Sequence, residues 1–260
     1  MGDTGATMPA TAGRRAVRAA GVLLALAVIV AGGFLWWTAQ VMAPMPQALA
    51  AMQSGDGVVV ESSRWLVFRP QAGTPRAGLV LYPGAKVDPR AYAPPARAIA
   101  AAGYVVVVVP MPLHLAVLAP ARASDVQDAF PDVQRWAIGG HSLGGAMAAR
   151  HAARTPSRVH GLLLWAAYPA GRDDLSAAGL ASTSIFGTRD GLVSRAEIEA
   201  SRAQLPAGTQ WIEIEGGNHA QFGWYGQQPR DLPATISREQ QQREVVTASI
   251  ALLDAIAVDR

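Results

Sequence analysis

The stretch Trp136-Ala-Ile-Gly-Gly-His-Ser-Leu-Gly-Gly145 decides the fold. The apolar run Trp136-Ala137-Ile138 leads straight into Gly140-His141-Ser142-Leu143-Gly144, and an alanine-rich helical stretch follows over 143–155, stopped by Pro156. A G-x-S-x-G sequence between strand and helix holds its serine on a sharp, strained turn. The positions two before and two after the serine must then lack side chains. Ser142 is the candidate nucleophile, and its strand–turn–helix context raises the motif above a chance match.

A serine nucleophile needs a base and an acid to orient that base. With this turn the chain order is Ser, then Asp or Glu, then His. His219, in Gly216-Gly-Asn-His219, directly follows the apolar run 211–214 and is the candidate base. His151 falls inside the helix after the turn, and His160 falls at the amino end of the next apolar run, the wrong edge of a parallel sheet. His141 occupies the x of the motif and is expected to point away from the catalytic face. The candidate acid is Asp190 in Gly187-Thr-Arg-Asp-Gly191, with Asp173 and Asp174 as the fallback pair; Asp231 follows His219 and breaks the order. Two backbone N–H groups are expected to form the oxyanion hole. One belongs to Leu143, and the other to Ala85 in Pro83-Gly-Ala-Lys86, with Lys86 as the alternative. The apolar loop 111–118 suggests a substrate wall carrying Met111, Leu113 and His114, and Phe222 is a further candidate for substrate contact.

Outward from these motifs the chain alternates. Continuous apolar runs occur at 78–82, 104–109, 136–138, 162–167, 183–186 and 211–214, preceded by a small antiparallel start at 58–61 and 65–68. Strands covered by helices on both faces lose their inside–outside alternation, so these runs predict a mostly parallel, doubly wound α/β sheet. Helical stretches are expected at 92–102, 143–155, 195–204 and 238–257. The connection 168–180 is too short for a cap domain.

The amino terminus reads differently. Arg14, Arg15 and Arg18 precede residues 19–37, which hold no charge and close on Trp36-Trp37. About twenty apolar residues span a hydrocarbon core, and basic residues on one side only predict an uncleaved anchor with a cytoplasmic amino terminus. A cleavable signal peptide ending at Ala48-Leu49-Ala50 is the competing reading. The expected organisation is a cytoplasmic segment 1–18, a membrane helix 19–38, a linker 39–56 and an extracytoplasmic catalytic domain 57–260.

The whole chain of 260 residues carries a formal net charge of +3, with Lys86 its only lysine and no cysteine. Disulfides, thiolate metal sites and a thiol nucleophile are therefore excluded. The arginines form no basic stripe, so nucleic acid is not an expected partner. No Walker A pattern, no G-x-G-x-x-G after a strand and no histidine pair at metal-ligand spacing occurs, so no cofactor or metal is expected.

Three segments, 82–89, 139–145 and 216–223, together resemble the α/β-hydrolase superfamily, and in particular its bacterial "alpha/beta hydrolase-5", dienelactone-hydrolase-related type. The resemblance covers about residues 75–255. It implies an α/β-hydrolase fold and a Ser142–Asp190–His219 triad, the same three residues reached above. True dienelactone hydrolases use cysteine, so Ser142 favours an esterase. The expectation is a membrane-anchored serine hydrolase acting on a small-molecule or lipid-like carboxylic ester. Acyl transfer to an envelope acceptor, and a non-catalytic binding module, are the alternatives.

Overall fold

The structure is a computed structural model describing residues 10–258, with side chains from residue 17 onward. Much of the segment read as cytoplasmic, including the side chains of Arg14 and Arg15, lies outside the described residues. The chain divides into two units, 1–40 and 41–260.

Among the described residues the first unit holds one helix, α1 (Ala10–Ala39). Its part Val17–Ala39 has a mean hydropathy of 2.3 and is long and apolar enough to cross a membrane, a test that a signal sequence also passes.

The second unit is built on an eight-stranded sheet. Its strands are β1 (Val58–Ser62), β2 (Leu66–Pro70), β3 (Gly78–Tyr82), β4 (Val105–Val108), β5 (Trp136–His141), β6 (Gly161–Trp165), β7 (Ala181–Gly187) and β8 (Gln210–Ile214). They lie in the order β1-β2-β4-β3-β5-β6-β7-β8. Strand β2 runs antiparallel to both neighbours, and all the other pairs are parallel. The helices of this unit are α2 (Pro46–Ala50), α3 (Ala93–Ala101), α4 (Arg122–Ala129), α5 (Leu143–Arg154), α6 (Arg195–Ala200) and α7 (Arg238–Ala257).

The continuous apolar runs have the cause expected of them. Leu79, Leu81, Val106 and Val108 face one way, into a core shared with Ala96 and Ile99 of α3 and Val245, Leu252 and Leu253 of α7. Val80, Tyr82, Val105 and Val107 face the other way, against Val126 of α4 and Met147, Ala148 and Ala152 of α5. Strands β3 and β4 are buried on both faces, so every residue along them is apolar. Fully burying one Leu or Val side chain contributes about 1.5–3 kcal/mol, so these two layers dominate the stability of the domain.

Two elements differ from the sequence reading. Helix α4 was not expected: its sequence RASDVQDA shows no clear stripe, and only Ala123, Val126 and Gln127 are buried. Helix α2 falls within the segment read as a linker. That segment is docked onto the domain: Met42 N–H donates to Lys86 C=O (2.7 Å), Asp88 N–H donates to Met42 C=O (3.1 Å), and Met45 N–H donates to Trp224 C=O (2.8 Å). Ala48, within the Ala48-Leu49-Ala50 pattern, is fully buried.

Candidate active site

Parallel strands gather their carboxyl ends at one edge, and the loops leaving β3, β5, β7 and β8 meet there. Ser142 follows β5 directly and has φ 53° and ψ −123°, a strained conformation for a residue with a side chain. A Cβ at Gly140 would collide with the backbone of Gly144 and Gly145, and one at Gly144 with the carbonyl oxygens of Tyr82 and Pro83. Both positions therefore need glycine. The turn is held by Ser142 N–H donating to Trp165 C=O at 2.9 Å and Ala146 N–H donating to Ser142 C=O at 3.1 Å.

His219 and Asp190 meet across this edge. Nδ1 of His219 lies 2.8 Å from Oδ2 of Asp190, and both side chains are almost completely buried. The second oxygen, Oδ1, accepts the N–H groups of Leu192 (2.8 Å) and Val193 (2.7 Å). The Asp-Gly turn thus holds its carboxylate in one orientation. An ionised carboxylate opposite Nδ1 keeps the ring proton there and leaves Nε2 as the basic nitrogen. Nε2 of His219 is buried and has no hydrogen-bond partner among the described residues, the Ser142 hydroxyl included. Such bonds are often long before substrate binds.

The fallback acids are engaged elsewhere. Asp173 pairs with Arg150 at 2.9 Å, and Asp174 accepts the Ser176 N–H at 2.8 Å. His151 is buried in α5, where burial and then Arg158 lower its pKa from 6.5 to about 4. His160 sits at the opposite edge, where its Nδ1 accepts the Trp136 N–H at 3.2 Å.

The two oxyanion alternatives of the β3 loop separate clearly. The Lys86 N–H donates to His114 C=O at 2.9 Å, whereas among the described residues no acceptor takes the Ala85 N–H or the Leu143 N–H. Lys86 itself adopts φ 59°, so the turn is tight. Of the expected substrate wall, Met111 is buried, His114 is half-buried, and Leu113 is 40% exposed on a loop of two short turns. Phe222 is fully buried and stacks on His141, with centroids 5.6 Å apart and planes 17° apart. It supports the site from inside the core.

Around the site stand two residues that the sequence reading places outside it, His141 and Asp231, and two that it does not name, Gln241 and Arg238. His141 does not turn away from the base: its ring packs on that of His219 with centroids 4.4 Å apart. Asp231, set aside because it follows His219, holds that histidine's loop. Its Oδ1 accepts the N–H groups of His219 (3.2 Å) and Gly191 (3.1 Å), and its Oδ2 accepts that of Ala220 (2.8 Å). Gln241 of α7 clamps the residue before His219, accepting the Asn218 N–H at 3.0 Å and donating to Asn218 C=O at 2.8 Å. Arg238 donates to the carbonyls of Ala220 and Gly223. These contacts join residues far apart in the chain, and no local pattern carries them. Among the described residues no group of three or more His, Asp or Glu side chains is placed to hold a metal ion.

Comparison with known proteins agrees with this architecture. Solved structures with the same fold include a CIB-like hydrolase from Thermoplasma acidophilum, 17% identical, with a TM-score of 0.56 over 75% of this chain and 100% of that one. A metagenome-derived lipolytic enzyme is 14% identical, with a TM-score of 0.55 over 70% of this chain and 95% of the other. A dienelactone hydrolase-like promiscuous phosphotriesterase from metagenomic libraries is 18% identical, with a TM-score of 0.54 over 74% of this chain and 92% of its own. No curated protein matches this sequence. A family model described as "Alpha/beta hydrolase family" matches residues 78–243, more than half of the chain and every segment that builds the site. With the strand order and the serine turn already described, this match makes the protein a member of the alpha/beta hydrolase family.

Proposed function

We propose that this protein is a serine esterase held at a membrane by α1, its hydrolase domain outside the cytoplasm. Ser142 attacks the acyl carbon of a carboxylic ester, and Nε2 of His219 takes its proton. Asp190 fixes the imidazole and stabilises the imidazolium that forms. The N–H groups of Leu143 and Ala85 receive the tetrahedral oxyanion. His219 then protonates the leaving alcohol, giving an acyl-enzyme on Ser142 Oγ. Water, deprotonated by the same histidine, adds to the acyl carbon, and collapse releases the acid and restores the Ser142 hydroxyl.

The observation that carries this reading is the 2.8 Å pairing of the buried Asp190 and His219 side chains behind a serine held at φ 53°. Asp190 spends its other oxygen on two backbone N–H groups, so only one lies opposite the ring. Rapid mixing with p-nitrophenyl butyrate tests the reading. A burst of about one nitrophenolate per chain followed by slower turnover is expected, and it should vanish in Ser142→Ala. Turnover by Ser142→Ala at the wild-type rate would overturn it.

A further inference from the structure

Tyr92 is fully buried where a short turn (Pro89–Tyr92) enters α3, and its hydroxyl reaches two parts of the site. The Gly84 N–H, in the loop that carries Ala85, donates to Tyr92 Oη at 2.9 Å. On the other side Tyr92 Oη lies 2.8 Å from Nδ1 of His141. Because the phenol oxygen accepts from Gly84, its own proton is free to go to Nδ1 of His141. His141 then carries its proton on the other ring nitrogen and is neutral. Burial, and then the neighbouring His219, hold its pKa well below the usual histidine value, while burial raises that of Tyr92. The contact is close: a Cβ at Gly84 would lie 2.8 Å from His141 Nδ1 and 3.1 Å from Tyr92 Oη.

His141 therefore adjoins the proposed nucleophile and base and is linked through Tyr92 to the proposed oxyanion loop. It precedes Ser142 in the chain, its ring packs on His219 at 4.4 Å, and Tyr92 links it to the loop of Ala85. Phe222 fixes the ring by stacking on it. From this connected set we infer that Tyr92 and His141 are positioning residues. The Tyr92 hydroxyl sets the Ala85 N–H at the oxyanion position, and His141 spaces the base from the nucleophile, adding no charge to either. A shift of a fraction of an ångström in a preorganised donor weakens its bond to the transition state more than its hold on the ground state.

The inference rests on the serine esterase reading, and two substitutions test it in the full-length chain. Tyr92→Phe keeps the ring and its burial and removes only the oxygen. It should lower kcat about 10- to 100-fold, within the range for losing one oxyanion donor, with KM changed less than about twofold. Affinity for an alkyl boronic acid, whose oxygen occupies the oxyanion position after addition to Ser142, should fall by the same factor. His141→Asn removes the ring but keeps an acceptor for the tyrosine proton, so it should lose several-fold less kcat than His141→Leu, which loses at least as much as Tyr92→Phe. The double variant Tyr92→Phe/His141→Leu should be no worse than the poorer single one, because both break one network. A Tyr92→Phe protein that melts like wild type and keeps its kcat and boronate affinity within twofold would overturn the inference. So would equal losses in His141→Asn and His141→Leu. Failure of the esterase reading is a separate result, visible as an absent burst in the wild-type enzyme.

Discussion

Oδ1 of Asp231 accepts the backbone N–H of His219 at 3.2 Å, while Oδ2 of Asp190 sits 2.8 Å from that histidine's Nδ1. One residue is thus gripped by two aspartates, one through the main chain and one through the ring. The second grip orients the proton acceptor; the first fixes the loop that presents it. The two carboxylates predict different mutant phenotypes.

Loss of the ring partner is a chemical defect. Asp190→Ala should lower kcat by about 10⁴, and Ser142→Ala and His219→Ala each by about 10⁶, with near-native folding. Asp173→Ala should stay within a fewfold of wild type, since its carboxylate is spent on Arg150. Steady-state kinetics on one ester decides this; an inactive Asp173→Ala beside an active Asp190→Ala would reverse the assignment.

Asp231→Ala is first of all a stability defect. It leaves the N–H groups of Gly191, His219 and Ala220 without their acceptor. Stranding the donors of the buried His219 and Ala220 costs about 1–3 kcal/mol, which lowers the melting temperature of a domain this size by several degrees. Calorimetry should show that drop, together with a loss of kcat. A variant as stable and as active as wild type would mean that the loop holds itself.

Acid should unfold the domain earlier than its carboxylates alone require. His151 has a folded pKa of about 4 against an ordinary 6.5, and His141 is shifted in the same direction, both chiefly by burial. A lowered histidine pKa means that the unfolded chain binds more protons in that window, so stability rises with pH. The contribution is present in full above about 6.5 and is lost as pH falls toward 4. Urea midpoints should fall between pH 7.5 and 5, and His151→Phe should flatten the fall. An unchanged slope in that variant would contradict the assignment.

Residues 41–45 predict that the amino-terminal segment is retained. Met42 and Met45 hydrogen-bond the loop of Lys86 and the turn after His219, contacts that cleavage after Ala50 would remove. Intact-mass analysis of the membrane-fraction protein should find α1 still attached, and a reporter fused at the carboxyl terminus should be active only outside the cytoplasm. A chain beginning at Ala51, or a reporter active only in the cytoplasm, would count against the anchor reading.

How much of this was readable in the sequence follows from where each signal lies. Gly140, Ser142 and Gly144 form a local pattern because a sharp turn constrains its own neighbours, so the elbow reads directly. Continuous apolar runs mark β3 to β7 for an equally local reason: both faces are covered. Asp190 and His219 could be singled out because chain order and strand ends limit the choices. Tyr92, Asp231 and Gln241 could not, since each acts on a residue 8, 12 or 23 positions away across a fold that must already exist. The direction of the His141 side chain is not legible locally, because it depends on stacking with Phe222 and a hydrogen bond with Tyr92. Residues 41–45 looked like a tether because their Pro and Met content gives no strand signal, yet backbone hydrogen bonds dock them.

If Ser142 is the nucleophile, a reagent that takes the place of the substrate's acyl group must bond to its oxygen. Incubating the full-length protein with a fluorophosphonate and measuring intact and peptide masses should give one adduct per chain, on the peptide containing Ser142. Labelling should be slowed strongly in His219→Ala and absent in Ser142→Ala. An enzyme that hydrolyses esters yet takes no adduct, or takes it on another residue, would show that Ser142 is not the nucleophile.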